Sequence, residues 1–244
     1  MSAAAVLWRQ LRFERRLFWR NPSAAFFNFL LPLLLLFLVA SVYADNPAEL
    51  DVLIPGIAGM AIMATTFTAL AFNVTFLREQ GILKRMRGTP IPVPAYLGGL
   101  LGSAVVNAVL QVALIVAIGN LVYGVSWPKD PLSLAVFTAV GVVTFAALGV
   151  AFSHAIPNFD AAAAYANVVF LPLIFISGVF YSAESLPPVL EAVATALPLK
   201  HLIDGLFAAI VGGADVADQF GALAIVVAWG IAGVVLAARF FRWE

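Results

Sequence analysis

The chain has 244 residues, of which 63% are hydrophobic and only 11% charged, and its formal net charge is zero. A charged share so far below the roughly 25% of ordinary soluble domains excludes a soluble globular class, and the charge balance gives no sign of a nucleic-acid partner. With no cysteine in the chain, disulfides and thiolate chemistry are excluded as well.

The apolar residues come in blocks near the ~20 residues that cross a bilayer as a helix. The ten-residue alternation of a membrane barrel is missing. The predicted class is therefore an all-α, multi-pass membrane protein.

Residues 1–22 form the first unit. Arg9, Arg12, Arg16 and Arg20 share one sector of a 3.6-residue helix, with Leu7, Leu11 and Phe18 opposite. That pattern predicts an amphipathic helix at the membrane surface, its cations toward anionic lipid headgroups. Glu14 falls on the apolar side and is the misfit; it is expected to pair with a nearby arginine or to meet a partner. Asn21-Pro22 turns the chain inward. The first apolar block is too long for the core of a cleavable signal peptide.

Residues 23–244 read as one domain of six spans, near 24–43, 52–76, 96–123, 132–156, 163–182 and 219–239. Arg9, Arg12, Arg15, Arg16, Arg20, Arg78, Lys84, Arg85, Arg87, Arg239 and Arg242 fall on the side of the N-terminus, and only Lys129 and Lys200 on the other. The positive-inside rule then places both termini and the 77–95 loop in the cytoplasm, with the protein in the inner or plasma membrane.

The stretch from Phe76 to Ala95 is the most charged run between long apolar regions. A short helix is expected from Glu79 to Arg87, with Ile82, Leu83 and Met86 on one side and the basic groups, Lys84 and Arg85 among them, on the other. Thr89-Pro90, Pro92 and Pro94 stop it. Two readings stay open at this point: a solvated basic loop, or a docking helix for a cytoplasmic partner.

In the third span Gly99, Ser103, Asn107 and Gln111 recur every four residues and form one polar stripe. It serves either as hydrogen-bonding glue between helices or as a cavity wall. Gly98 and Gly102 also match GxxxG.

After the fifth span, residues 183–212 are too long for a turn and too interrupted for a span. Leu186, Pro187 and Pro188 open the segment, and Pro198 splits it into helices over Val189–Ala196 and Leu199–Val211. Buried against protein, such a re-entrant segment is tolerated at membrane depth, and Leu186, Pro187, Pro188 and Val193 are candidates for an outer gate. Gly205 and Gly212-Gly213 are either hinges or relief from crowding.

The chemistry of the spans is sparse. None carries Asp, Glu, Lys or Arg near its centre, as ion-coupled carriers usually require, and no internal repeat is visible. His154 and His201 lie at opposite faces with no acid cluster, so no metal site is expected. No catalytic set is expected either, the nearest candidate being Lys200, His201 and Asp204. The phosphate-binding pattern G-x-x-x-x-G-K-[ST] is absent. A stand-alone secondary carrier and a lipid-modifying membrane enzyme are two readings weighed against these residues.

Four stretches carry a family resemblance. Leu53-Ile54-Pro55-Gly56-Ile57 opens the second span. Phe76-Leu77-Arg78-Glu79-Gln80-Gly81-Ile82-Leu83 leads on to Thr89-Pro90. Ile176-Ser177-Gly178-Val179-Phe180 precedes Leu186-Pro187-Pro188. Leu197-Pro198-Leu199-Lys200-His201 precedes Asp204-Gly205-Leu206. In this order they resemble the permease subunits of type-two ATP-binding-cassette exporters, which include daunorubicin-resistance and polysaccharide-export permeases. Ile82, Ser182 and Phe207 depart from the usual threonine, proline and arginine; the last puts an ion pair with Asp204 in doubt.

The resemblance implies an ATP-driven export permease that is not itself an enzyme. Glu79, Ile82, Leu83, Lys84, Arg85 and Met86 would form the coupling helix (77–90) set into a groove of the ATPase. ATP and magnesium would be bound by two ATPase subunits, not by this chain. A second permease copy or relative would complete the membrane unit. Ser103, Asn107 and Gln111 would line the pathway of an amphipathic, lipid-like, drug or glycan cargo.

Overall fold

The computed structural model describes residues 3–86, 93–181 and 186–240. Arg87, Thr89, Pro90, Pro92, Ser182, Glu184 and Arg242 lie outside the described residues, as does the Met86 side chain. Among the described residues all regular structure is helical.

The helices in chain order are α1 (Ala3–Arg20), α2 (Pro22–Val42), α3 (Pro47–Met63) and α4 (Ala69–Glu79), with a π-helical turn (Ala64–Thr68) joining the last two. There follow α5 (Ile82–Met86), α6 (Val93–Tyr123), α7 (Pro131–Phe152), α8 (Phe159–Ile176), α9 (Pro188–Ala194), α10 (Pro198–Phe207) extended by a π turn (Ala208–Gly212), and α11 (Phe220–Phe240). Among the described residues five helices are long and apolar enough to cross a membrane, Pro47–Glu79, Gly98–Tyr123, Pro131–Phe152, Phe159–Ile176 and Phe220–Arg239, or six if the bent pair Pro188–Ala194 and Pro198–Gly212 is counted as one span. The apolar part of α2, Asn28–Val42, is shorter.

Local chemistry explains the ends. Asp130 caps α7, its Oδ1 accepting from Leu132 N at 3.0 Å with Pro131 in the first turn. Asn158 caps α8 in the same way, accepting from Ala161 N at 2.9 Å. Such caps satisfy backbone donors that the first helical turn leaves over. The fourth and fifth spans thus end earlier than the apolar runs suggested, at Phe152 and Ile176, and Gly178 at φ +81° takes the chain out of helical geometry.

The continuous helix α3–α4 is the hub. Leu53, Ile54, Ile57, Met60 and Ile62 are each 1% exposed or less, as expected of a helix apolar all round. Gly56 lies so close to Val179 that a Cβ would overlap the Val179 carbonyl. Two of the four family-like stretches therefore meet here, and glycine is what lets the backbones touch.

Helix α10 lies inside the bundle. Leu199 and Ile203 meet Gly59, Leu202 meets Gly141, and Gly205 meets the Phe137 ring. The π turn after it is held by Lys129 N and Asp130 N, which donate to Ile210 O and Ala209 O at 3.4 and 3.0 Å. Helix α9, bent from α10 by 84°, is the outlying half: Val189 is 76% exposed. Gly205 is thus a close-packing glycine and not a hinge.

All four arginines expected on the polar side of α1 are exposed, and the helix packs against α6. Leu7 Cδ1 lies 2.7 Å from where a Cβ of Gly98 would stand, Gln10 Cβ 3.0 Å from that of Gly99, and Leu11 Cδ1 3.0 Å from that of Gly102. These pairings advance together along both helices, so α1 runs in the same direction as the start of α6. The small residues of the GxxxG pattern make the groove that receives it.

Candidate functional site

The described basic residues of the 78–85 stretch and the 153–158 turn share one end of the bundle, where α4 finishes. Gly81, at φ +64°, separates α4 from α5, so the short helix begins at Ile82 and not at Glu79. A single turn of five residues has no independent stability. Leu83 supplies it: at 1% exposure it packs among Leu70, Val74, Leu77, Leu100, Ala104, Ala146 and Val150, with Ile82 against the same cluster. Leu83 is thus buried within the chain's own core. Lys84 and Arg85 are exposed at the surface.

Arg78 and Glu79 hold the neighbouring turn. Arg78 donates from Nη1 to Ser153 O at 3.1 Å and from Nη2 to Ile156 O at 2.5 Å. Glu79 Oε2 accepts from Phe159 N at 2.5 Å. The cation thus meets carbonyls just past the C-terminus of α7, and the anion meets the N-terminus of α8, each at the helix end whose dipole favours it. The ring of Phe76 meets that of Phe159 edge-on, with centroids 5.3 Å apart. Residue spacing alone did not show this clasp, although the adjacent Arg-Glu pair was its trace.

Arg78→Ala should free the α7–α8 turn. Removing a charged donor from buried carbonyls costs about 1.5–3 kcal/mol. Hydrogen exchange across residues 153–160 should accelerate in the variant while exchange in α3 stays slow; unchanged protection at 153–160 would refute the clasp. Arg78→Lys should recover only part, because lysine lacks the planar fork.

Beside α5 lies a cavity of ≈ 720 Å³, bounded by α1, α2, α4 and α6, with Ile82 and Phe159 at one edge. Its polar groups come from Glu14, Asn21, Asn28, Thr65, Asn73, Ser103 and Asn107. The stripe on α6 is divided in two. Gln111, 1% exposed, ties helices together: its Oε1 accepts from Thr65 Oγ1 in the π turn and its Nε2 donates to Asn28 O at 2.6 Å. Ser103 and Asn107 face the cavity, where Asn107 Oδ1 also accepts from Arg15 Nη1. The π turn displaces Thr65 from a regular helical position, a feature frequent at functional sites.

Glu14 explains itself here. Its carboxylate accepts from Gln10 Nε2 at 2.8 Å, and burial pushes its pKa above the usual carboxylate range while that hydrogen bond pulls it back. Arg15, whose pKa burial lowers, stacks on Trp19 with 5.7 Å to the ring centroid. Its bond to Asn107 was not foreseen.

At the far end, Lys200 pairs with Asp204 at 2.6 Å, so Asp204 finds a cation one turn back although Phe207 stands at the position of the usual arginine. His201 Nε2 contacts Thr195 O at 2.8 Å. Leu186 is partly exposed, while Pro187, Pro188 and Val193 are exposed. Among the described residues no group of three or more His, Cys, Asp or Glu is placed to hold a metal ion.

The family model described as ABC-2 type transporter matches residues 3–211. The chain belongs to the ABC-2 type transporter family. It is 29% identical over 187 residues to the daunorubicin resistance ABC transporter permease protein DrrB1 of Streptomyces coeruleorubidus, a match covering 70% of this chain and 63% of that protein. It is 27% identical over 190 residues to nodulation protein J of Rhizobium leguminosarum bv. trifolii, covering 76% and 72% respectively. The linearmycin resistance permease protein LnrN of Bacillus subtilis is 22% identical over 174 residues, covering 70% and 45%. The match therefore spans less than two thirds of the first and third of these relatives.

Proposed function

We propose that this chain is the membrane subunit of an ATP-driven exporter, with ATP and magnesium bound by two separate ATPase subunits and a second permease completing the membrane unit. The observation that carries the reading is α5: a one-turn helix of the family-like stretch, anchored through Leu83 on the chain's own core, with Lys84 and Arg85 turned outward. Those two side chains are the contact offered to the ATPase, and Arg78 and Glu79 pass its movement to α7 and α8. The N-terminus and the 77–95 loop lie in the cytoplasm. Helix α9 is the element that moves when cargo leaves, since α10 is locked into the bundle.

Cargo is of the amphipathic, lipid-like, drug or glycan class; two of the relatives bear resistance to daunorubicin and linearmycin in their names. The test is co-expression with a candidate ABC-type ATPase from the same organism. The two should co-purify and give vanadate-sensitive transport in proteoliposomes. Transport by this chain alone, insensitive to vanadate, would overturn the reading.

A further inference from the structure

We propose that the cavity between α1 and α4 is a binding site for an organic cation on an aromatic or amphipathic body, with Glu14 as its counter-ion. The inference rests on the permease reading in one respect, that such a cation is a cargo class.

The argument begins with charge. Glu14 is a carboxylate drawn partly out of water, and among the described residues it pairs with no cation; its bond is to the neutral amide of Gln10. The arginines of its own helix do not answer it. Arg9, Arg12, Arg16 and Arg20 are exposed, and the Arg15 guanidinium, though it donates to Asn107 Oδ1 on the cavity wall and lies over the Trp19 ring, forms no ion pair with Glu14 among the described residues and is not itself a lining residue. A half-buried anion without a counter-ion repels anionic ligands and favours a cation.

The walls fit the same ligand. Phe13, Phe72 and Phe76 line the space that Glu14 faces, and aromatic faces attract cations where water is thin. Asn28 Nδ2 is buried without a hydrogen-bond partner among the described residues, a donor left for an oxygen on the ligand. The volume, ≈ 720 Å³, falls within the roughly 300–1,000 Å³ of small-molecule sites. Because Ile82 closes one edge, an occupant would touch the first residue of α5.

The test uses the full chain in phosphatidylglycerol nanodiscs, with tetraphenylphosphonium as cationic probe and triphenylphosphine oxide as neutral control. Wild type should bind the cation saturably. Glu14→Gln should weaken that binding about tenfold or more, the scale of a desolvated cation contact, without changing uptake of the neutral control. Ser103→Asp, which adds a carboxylate to the facing wall, should tighten it, so the inference stays testable if Glu14→Gln proves unstable. Equal binding by wild type and Glu14→Gln, or no gain from Ser103→Asp, overturns the cation site.

Adding phosphatidylethanolamine to the discs separates two sources of the same chemistry. Displacement of the probe assigns the site to a lipid ammonium headgroup; no displacement assigns it to a free cation. Binding is read without ATP or ATPase. Its failure therefore overturns this inference alone, whereas failure of the ATPase to co-purify overturns only the permease reading.

Discussion

Leu83→Asp should detach the cytoplasmic turn and abolish energy coupling while the spans still assemble. The site is 1% exposed and belongs to a buried apolar cluster that includes Leu70, Val74, Leu77 and Leu100. Losing a buried leucine forfeits roughly 1.5–3 kcal/mol of transfer free energy, and an ionised carboxylate in its place adds a desolvation cost that water can relieve only if the turn leaves the core. Since α5 has five residues and no stability of its own, it should come away as a unit and take Lys84 and Arg85 out of position. The variant should reach the membrane, elute as wild type in detergent, and fail both to retain the ATPase and to transport. Leu83→Ala should fall between the two. Normal ATPase retention by the aspartate variant would refute the anchoring role.

The second large effect is expected at Gly205. A Cβ at this position would overlap the ring of Phe137, which is fully buried and has no space into which to retreat. Overpacking of this kind costs typically about 1–3 kcal/mol. Gly205→Ala should therefore lower the thermal unfolding temperature and loosen α10 from α3 and α7. Phe137→Leu, made in the same chain, should recover part of the loss, because the two positions share one space. If the alanine variant unfolds at the wild-type temperature, α10 is not held as described, and Gly205 regains a claim to be a hinge.

These two residues also mark where the sequence could be read and where it could not. Long apolar blocks separated by basic or proline-rich breaks made the spans legible. Helical spacing put Ile82, Leu83 and Met86 on one side. It could not say what covers that side, and Leu83 is buried in a cluster of the chain's own apolar residues. Gly205 was ambiguous for the same reason, since a hinge and a point of close approach both call for glycine.

The candidate site was legible only in part. Ser103, Asn107 and Gln111 stood out as a stripe, but only their partners divide them, Gln111 with Thr65 and Asn28, Asn107 with Arg15 and the cavity. Contacts between residues some 80 positions apart, such as Arg78 with Ser153 and Ile156, leave no periodic signal. The π turn at Ala64–Thr68 left none either, because its residues suit an ordinary helix equally well.

The most direct measurement of the central claim is site-specific crosslinking at α5. The chain contains no cysteine, so Arg85→Cys creates a single thiol at an exposed position of that helix. Membranes containing this variant and the co-expressed ATPase would be treated with a short thiol-to-amine crosslinker, with Val189→Cys on α9 as the control at the opposite end. A permease–ATPase adduct at 85 that changes in yield with ATP and vanadate, and none at 189, is the predicted result. No adduct at 85 in membranes where transport is active would contradict the account.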